Sequence, residues 1–355
     1  MSADELDTVL SGSSVSTRFH VSDSAFQWQA SSLNKDLELC FQVLQSLLAD
    51  PGVDADAYKV SMERLKMHFD SLLGDVRGAM QFSGYRFLAG GNSSFGIPSW
   101  EEFSQIDLEQ LQEWYMSATE NGSLEISLVG DFDEEEVVRL AKHYFAVLPS
   151  RTKQESKKEE ITFPAGQNLD VTVPSSIDKG LLLVAWKTDD FWNITRTRGL
   201  HLLAEVFSER LRKVVREKLG ATYSPQVYNV SSRMYKGYGV MQAVLIVNPT
   251  QIEALKKEVL IIAEKLYNGP ITEEELERAK RPMLTSLKDM IRTNRYWLSS
   301  VLSLSSRYPQ QLQWPLTILS GFSVFDVEDI QRLSSAYLKA DSAAVVTVVP
   351  SSNNP

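Results

Sequence analysis

Residues 103–115, FSQIDLEQLQEWY, and residues 322–334, FSVFDVEDIQRLS, align without a gap at a constant offset of 219. Asp107 meets Asp326, Glu109 meets Glu328 and Gln112 meets Gln331. The same offset brings LEISLVGD, from Leu124, onto AAVVTVVP, from Ala343, two short apolar runs of the kind that form buried strands. Upstream, LADPGVDADAY matches LYNGPITEEEL at an offset near 218. The chain therefore carries two copies of one unit, and a unit repeated at this length is read before any single element. The second copy opens near Phe163, after the polar stretch RTKQESKKEE from Arg151 to Glu160, and closes near Pro350. Carried back by the offset, the first copy opens about 56 residues before Met1, so it is expected to be truncated at its N-terminus. The division expected on this basis is a truncated first copy over 1–150, a linker over 151–162 and a second copy over 163–355.

Each copy reads as α+β. In the second, LDVTVP and GLLLVAWKT are strand-like, and TRGLHLLAEVFSERLRKVVREKL has the three-and-four apolar spacing of a helix. ATYSPQVYNVSS and GYGVMQAVLIV follow as strands, the first broken by Pro225. Helices are predicted from Pro249, behind Asn248, and from Thr272, whose partner Glu275 completes a capping box. A last helix from Asp326 leads into the closing strand. Consecutive strands followed by runs of helices predict a mostly antiparallel sheet with helices packed on one face. The first copy keeps the later part of this plan: strands around Val15–Ser31, helices from Asn34, Asp54, Asp107 and Asp133, and a strand from Leu124. Missing opening strands would expose a sheet edge, which favours dimerisation or aggregation.

Composition narrows the function. A chain of 355 residues with 43% hydrophobic and 23% charged residues suits two folded domains. A net charge of −10 without a clustered basic face argues against a nucleic-acid partner. The single cysteine, Cys40, excludes an internal disulfide and lies on an apolar helix face with Leu37, Phe41 and Leu44, as a buried thiol. The opening MSADELDTVLSGSS lacks the basic and apolar segments of a signal peptide, and no apolar run reaches the roughly 20 residues of a membrane span.

Few residues offer chemistry. His20, His68, His143 and His201 are too far apart to share a helix face, and neither H-E-x-x-H nor H-x-x-E-H occurs. His201 and Glu205 share one face but lack a third ligand, so a histidine on an amphipathic helix is the better reading. The loop LAGGNSSFGIPS, Leu88–Ser99, lacks the Lys-Ser/Thr ending of a phosphate loop and reads as a connection. Asp133 with Glu136, in GDFDEEEVV, is a helix cap. VVREKLGATYSP, Val214–Pro225, places Arg216 and Tyr223 seven residues apart where a helix gives way to a strand. Two readings stand: a functional cation and phenol, or a helix C-terminal cation and a strand-favouring aromatic.

The stretch from Gly96 to Arg151 resembles the end of a repeat domain in the pitrilysin/insulysin family of zinc metallopeptidases. LRKVVREKLGATYSP, from Leu211, resembles the R-E-x-x-G-x-x-Y-S segment of that family's second half. The resemblance spans nearly the whole chain and is nearest to the long single-chain bacterial peptidases of the PqqL type. It implies the LuxS/MPP-like metallohydrolase fold and a clamshell of two halves, each holding two copies of the unit. The zinc and its H-x-x-E-H motif would lie in the N-terminal half, in the same polypeptide or a partner subunit. Residues 1–150 would be the third domain of the parent peptidase and 163–355 the fourth. No cofactor is then expected in this chain, which would be inactive alone. The resemblance makes Arg216 and Tyr223 substrate-binding residues that reach a peptide near the zinc. It also admits an inactive structural or assembly subunit of the same fold, and a periplasmic parent, although the sequence fixes no compartment. A third reading, an independent enzyme built on His201 and Glu205, requires the ligand that is not in view.

Overall fold

The computed structural model describes residues 3–49, 51–149, 151, 159–175, 177–219 and 225–351. Among the described residues the strands are β1 Ser16–Ser22, β2 Ala25–Ser31, β3 Asn168–Val173, β4 Gly180–Thr188, β5 Gln226–Ser231, β6 Gly239–Val247 and β7 Ala344–Pro350. The helices of eight residues or more are α1 Ala3–Leu10, α2 Leu37–Ala49, α3 Ala55–Leu73, α4 Leu108–Asn121, α5 Glu134–Phe145, α6 Ile194–Leu219, α7 Ile252–Asn268, α8 Glu273–Met290 and α9 Val327–Tyr337.

The larger compact unit comprises Lys66–Trp100, Lys158–Tyr296 and Tyr308–Pro355. Its five-stranded sheet has the order β3-β7-β4-β6-β5, antiparallel except for the β3–β7 pair. The central strand reads GLLLVAWKT, apolar on both faces because both are covered. Leu182, Val184 and Trp186 face the long helices, packing with Leu203 and Phe207 of α6, Leu255, Val259 and Ile262 of α7, and Ile330 of α9. Each such side chain contributes roughly 1.5–3 kcal/mol on burial. Trp186 is fully buried and its indole N–H donates to the Lys339 carbonyl at 3.1 Å.

The long helices thus gather on one face, while the other is closed by a segment from earlier in the chain. Leu181, Leu183, Ala185 and Val346 pack against Val76, Ala79, Met80, Leu88 and Phe163. The glycine-rich loop after Leu88 is the connection expected of it. Gly90 has φ +65°, and a Cβ there would stand 2.4 Å from the Thr162 carbonyl oxygen, so only glycine fits. Tyr238 donates to the Leu88 carbonyl at 3.2 Å, and burial pushes its phenol pKa up to about 12.

The second compact unit comprises Met1–Leu65, Glu101–Lys157 and Trp297–Arg307, so neither unit is one uninterrupted stretch of chain. Its core joins α2 to α5 through Phe41, Leu140 and Phe145, with Cys40 buried alongside. The β1–β2 hairpin pairs from Ser16↔Ser31 to Ser22↔Ala25 and carries Phe19 and Trp28, with ring centroids 4.7 Å apart.

The repeated motif folds alike in both units. Asp107 caps α4 and Asp326 caps α9, each in a capping box with the residue three positions on, Gln110 and Asp329. The strand expected from Leu124 does not form: residues 124–129 carry no ladder. The physical reason lies in the other unit, where the equivalent β7 is held between β3 and β4. The described strands of this unit are those of the hairpin β1–β2, which pair only with each other. No described strand lies alongside 124–129 as β3 and β4 lie alongside β7, and the Glu125 carboxylate accepts from the Ser305 and Ser306 amides at 3.1 and 3.3 Å.

Candidate functional site

Arg216 lies in the last turn of α6, exposed, and makes no hydrogen bond or ion pair with the described residues. Tyr223 falls in 220–224, outside the described residues, so the geometry of the Arg216–Tyr223 pair is not defined. What is defined is how the flanking elements are fixed. Ser208, buried on α6, accepts from the Val227 amide at 2.9 Å and donates to the Val227 carbonyl at 3.1 Å. That hydroxyl replaces the strand partner that edge strand β5 lacks. Arg210 on α6 grips both carboxylate oxygens of Glu275 of α8 through its Nε and Nη2, at 2.8 and 2.9 Å, and donates to the Pro270 carbonyl at 3.0 Å. The Arg210 guanidinium holds the Glu275 carboxyl down at about 2.

His201 and Glu205 do share a face of α6. His201 is exposed as a residue, and desolvation by its surroundings lowers the pKa of its imidazole. Among the described residues no group of three or more His, Cys, Asp or Glu converges on a point where a metal could sit. Glu205 instead lines a cleft of about 710 Å³ between α6 and α8, with Glu209, Arg212, Arg278 and Met283. Arg278 bridges Glu209 at 2.5 Å there and also pairs with Glu274.

A denser constellation stands at the other end of α6, where β4 and β5 finish and β6 starts. Asp190, in the turn DDFWN, accepts from the Trp192 amide at 3.1 Å and the Gly237 amide at 2.8 Å. Asp189 pairs with Arg196 at 2.6 Å. The Trp192 indole donates to the Arg233 carbonyl at 3.0 Å and stacks on Tyr308 at 3.9 Å, and Phe191 meets Trp314 edge-on at 5.3 Å. The Arg233 guanidinium carbon stands 4.1 Å from the Phe191 ring centroid. Buried Arg198 holds the turn carrying Trp314 by donating to the Trp314 and Thr317 carbonyls at 3.0 and 2.9 Å. Sequence reasoning passed over this cluster, because its rings come from residues 191–192, 308 and 314; the run DDFWN was the only local signal.

With the fold and these groups in place, comparison with known proteins defines the class. Residues 105–283 match the family described as peptidase M16 inactive domain, and the chain belongs to that family. The chloroplastic stromal processing peptidase of Oryza sativa subsp. indica is 22% identical over 363 residues, covering 88% of this chain and 29% of that protein. The chain thus spans under a third of the length of that relative. The crystal structure of a peptidase M16 inactive domain from Pseudomonas fluorescens superposes with a TM-score of 0.84 at 18% identity, covering 100% of this chain and 85% of that one. The periplasmic protease PqqL from Escherichia coli superposes with a TM-score of 0.77 at 15% identity, covering 99% of this chain and 39% of that one. The α+β fold is therefore that of the inactive domains of M16 zinc peptidases. No described helix is long and apolar enough to cross a membrane.

Proposed function

We propose that this chain is the C-terminal, zinc-less half of a pitrilysin-like zinc metalloendopeptidase. It binds extended peptide and closes the chamber over a zinc site carried by another half of the same polypeptide or by a partner subunit. The observation that carries this reading is a match to the inactive-domain family together with likeness of the whole chain to 39% of PqqL. The donor chemistry supports it: His201 and Glu205 offer two ligands, whereas a catalytic zinc takes three from the protein. Zinc in the other half would supply the activated water. Arg216 would hydrogen-bond peptide carbonyls or carboxylates through its planar fork, and Tyr223 would donate to the developing oxyanion. Loss of one such donor costs about 10²–10³ in rate.

The test is fluorescence-anisotropy binding of a pool of extended peptides to the wild type, Arg216→Ala and Tyr223→Phe, each first shown to be folded. Cleavage is then assayed after mixing with a zinc-bearing half. Several-fold weaker binding by the variants and cleavage only in the mixture are expected. Chelator-sensitive cleavage by the purified chain alone, with stoichiometric zinc, would overturn the reading. A second reading, an inactive structural or assembly subunit of the same fold, is favoured by the place of Arg216 in the last turn of α6, where a cation offsets the helix dipole. Under it, both substitutions leave binding and every reconstituted activity unchanged. The likeness to PqqL supports a periplasmic parent, with a chloroplast the competing compartment; fractionation of the parent decides. Self-association through a sheet edge would show as a concentration-dependent sedimentation coefficient.

A further inference from the structure

The cluster at the N-terminal end of α6 contains polar groups that the fold does not use. Asp189 and Asp190, the carboxylates in the DDFWN turn, are committed to Arg196 and to the backbone amides of Asp190, Trp192 and Gly237. Arg233 is left over: among the described residues its guanidinium makes no hydrogen bond and no ion pair, only the contact with the Phe191 ring. It is half-buried, and desolvation lowers its pKa, so its charge is held away from bulk water without a counter-ion. Tyr308 is close enough for its phenol to bear on the ionisation of Arg233, and its hydroxyl also makes no hydrogen bond among the described residues. Trp192 and Trp314, both half-buried, frame these two donors.

The frame is rigid where it matters. Phe191 is fixed by its amide donating to the Ser232 carbonyl at 2.9 Å and by Thr197 donating to its own carbonyl at 3.1 Å. The Ser232 hydroxyl accepts from the Met234 and Tyr235 amides at 3.1 and 2.8 Å, which sets the turn that carries Arg233. A cation without a counter-ion and a phenol without an acceptor, on a wall of aromatic rings, suit an anion that can accept from a planar fork while its neighbour lies on the rings. We infer that Arg233 and Tyr308 bind a peptide carboxylate, with Trp192 and Trp314 receiving the apolar or aromatic side chain next to it. Arg216 lies at the other end of α6, about 28 Å from Thr197 at 1.5 Å per residue, so the two sites are separate. The binding of a carboxylate stands on this geometry; the choice of peptide as its carrier rests on the function proposed above.

The experiment is isothermal titration calorimetry on the full chain with three forms of one short acetylated peptide ending in phenylalanine. The first has a free C-terminal carboxylate, the second a C-terminal amide, and the third is the amide with an internal glutamate. The wild type is expected to bind the free acid at least about tenfold more tightly than the amide. Arg233→Met, which keeps the apolar stem, is expected to erase that difference, and Tyr308→Phe to reduce it. Recovery of affinity by the glutamate form assigns the site to acidic side chains as well as to C-termini; no recovery restricts it to C-termini. Equal affinity for acid and amide, or the absence of binding at millimolar peptide, overturns the inference. So does a full acid preference retained by Arg233→Met or, should that variant not fold, by Tyr308→Phe. Arg233→Met with the acid and amide peptides tests this site, and Arg216→Ala with the extended-peptide pool tests the proposed function, so failure of one and failure of the other are distinguishable.

Discussion

Replacing Glu275 by glutamine tests whether one ion pair fastens α8 to α6. The Glu275 carboxylate accepts from Nε and Nη2 of Arg210, at 2.8 and 2.9 Å, and also from the Thr272 amide at 3.0 Å, so it closes a capping box and an interhelical bridge together. The Arg210 hydrogen bonds hold its pKa at about 2, against an ordinary 4.5. Because the folded value lies below the unfolded one, the contribution is fully present above about pH 4.5 and is lost as pH falls through about 2. A shift of this size corresponds to about 3 kcal/mol, and with the two side chains 18–20% exposed, screening by water trims it to about 2 kcal/mol. Urea unfolding followed by circular dichroism, on wild type and Glu275→Gln from neutral pH down to about pH 2, reads the difference directly. The other carboxylates titrate in both proteins and cancel. The wild type should be more stable by about 2 kcal/mol at neutral pH, with the gap closing below about pH 4. A gap independent of pH, or one under about 0.5 kcal/mol at neutral pH, refutes the reasoning.

Three further substitutions test the frame around the sites. Trp186→Ala should destabilise the larger unit by about 3–5 kcal/mol, since it removes a fully buried indole and the partner of the Lys339 carbonyl; a midpoint shift in urea checks it. Ser208→Ala leaves the Val227 amide and carbonyl without their partner and should cost about 1–3 kcal/mol, with faster hydrogen exchange at the Val227 amide as the local signature. Asp107→Ala and Asp326→Ala should each cost about 1 kcal/mol of unfolding free energy if the two capping boxes are equivalent; a loss at only one position separates them.

The elements legible in the sequence were those whose signal is local. The capping box at Thr272 names its helix in four residues, and the unbroken apolar run of β4 announces a buried strand. The strand expected from Leu124 was misread because a strand is a property of its neighbours. LEISLV has the right composition, but no described strand pairs with it. The covering of the second sheet face by Val76–Ala89 was equally invisible, since nothing in VRGAMQFSGYRFLA states which sheet it will meet.

The candidate sites divide along the same line. Arg216 and Tyr223 stand out because they are seven residues apart in a segment that resembles a known one, and their claim to function still rests on that resemblance. Arg233 and Tyr308 are 75 residues apart, and neither has a sequence signature. Their claim rests on what the fold withholds: a guanidinium and a phenol without a hydrogen-bond partner among the described residues, beside carboxylates committed to Arg196 and to three backbone amides. Binding energy comes from groups whose partners are supplied by the ligand, because a donor already satisfied within the protein gains little from a new acceptor. On that criterion the bridged Arg210, and Arg278 with its two glutamates, serve the scaffold, and Arg233 is the described cation of this cluster left free to serve a ligand.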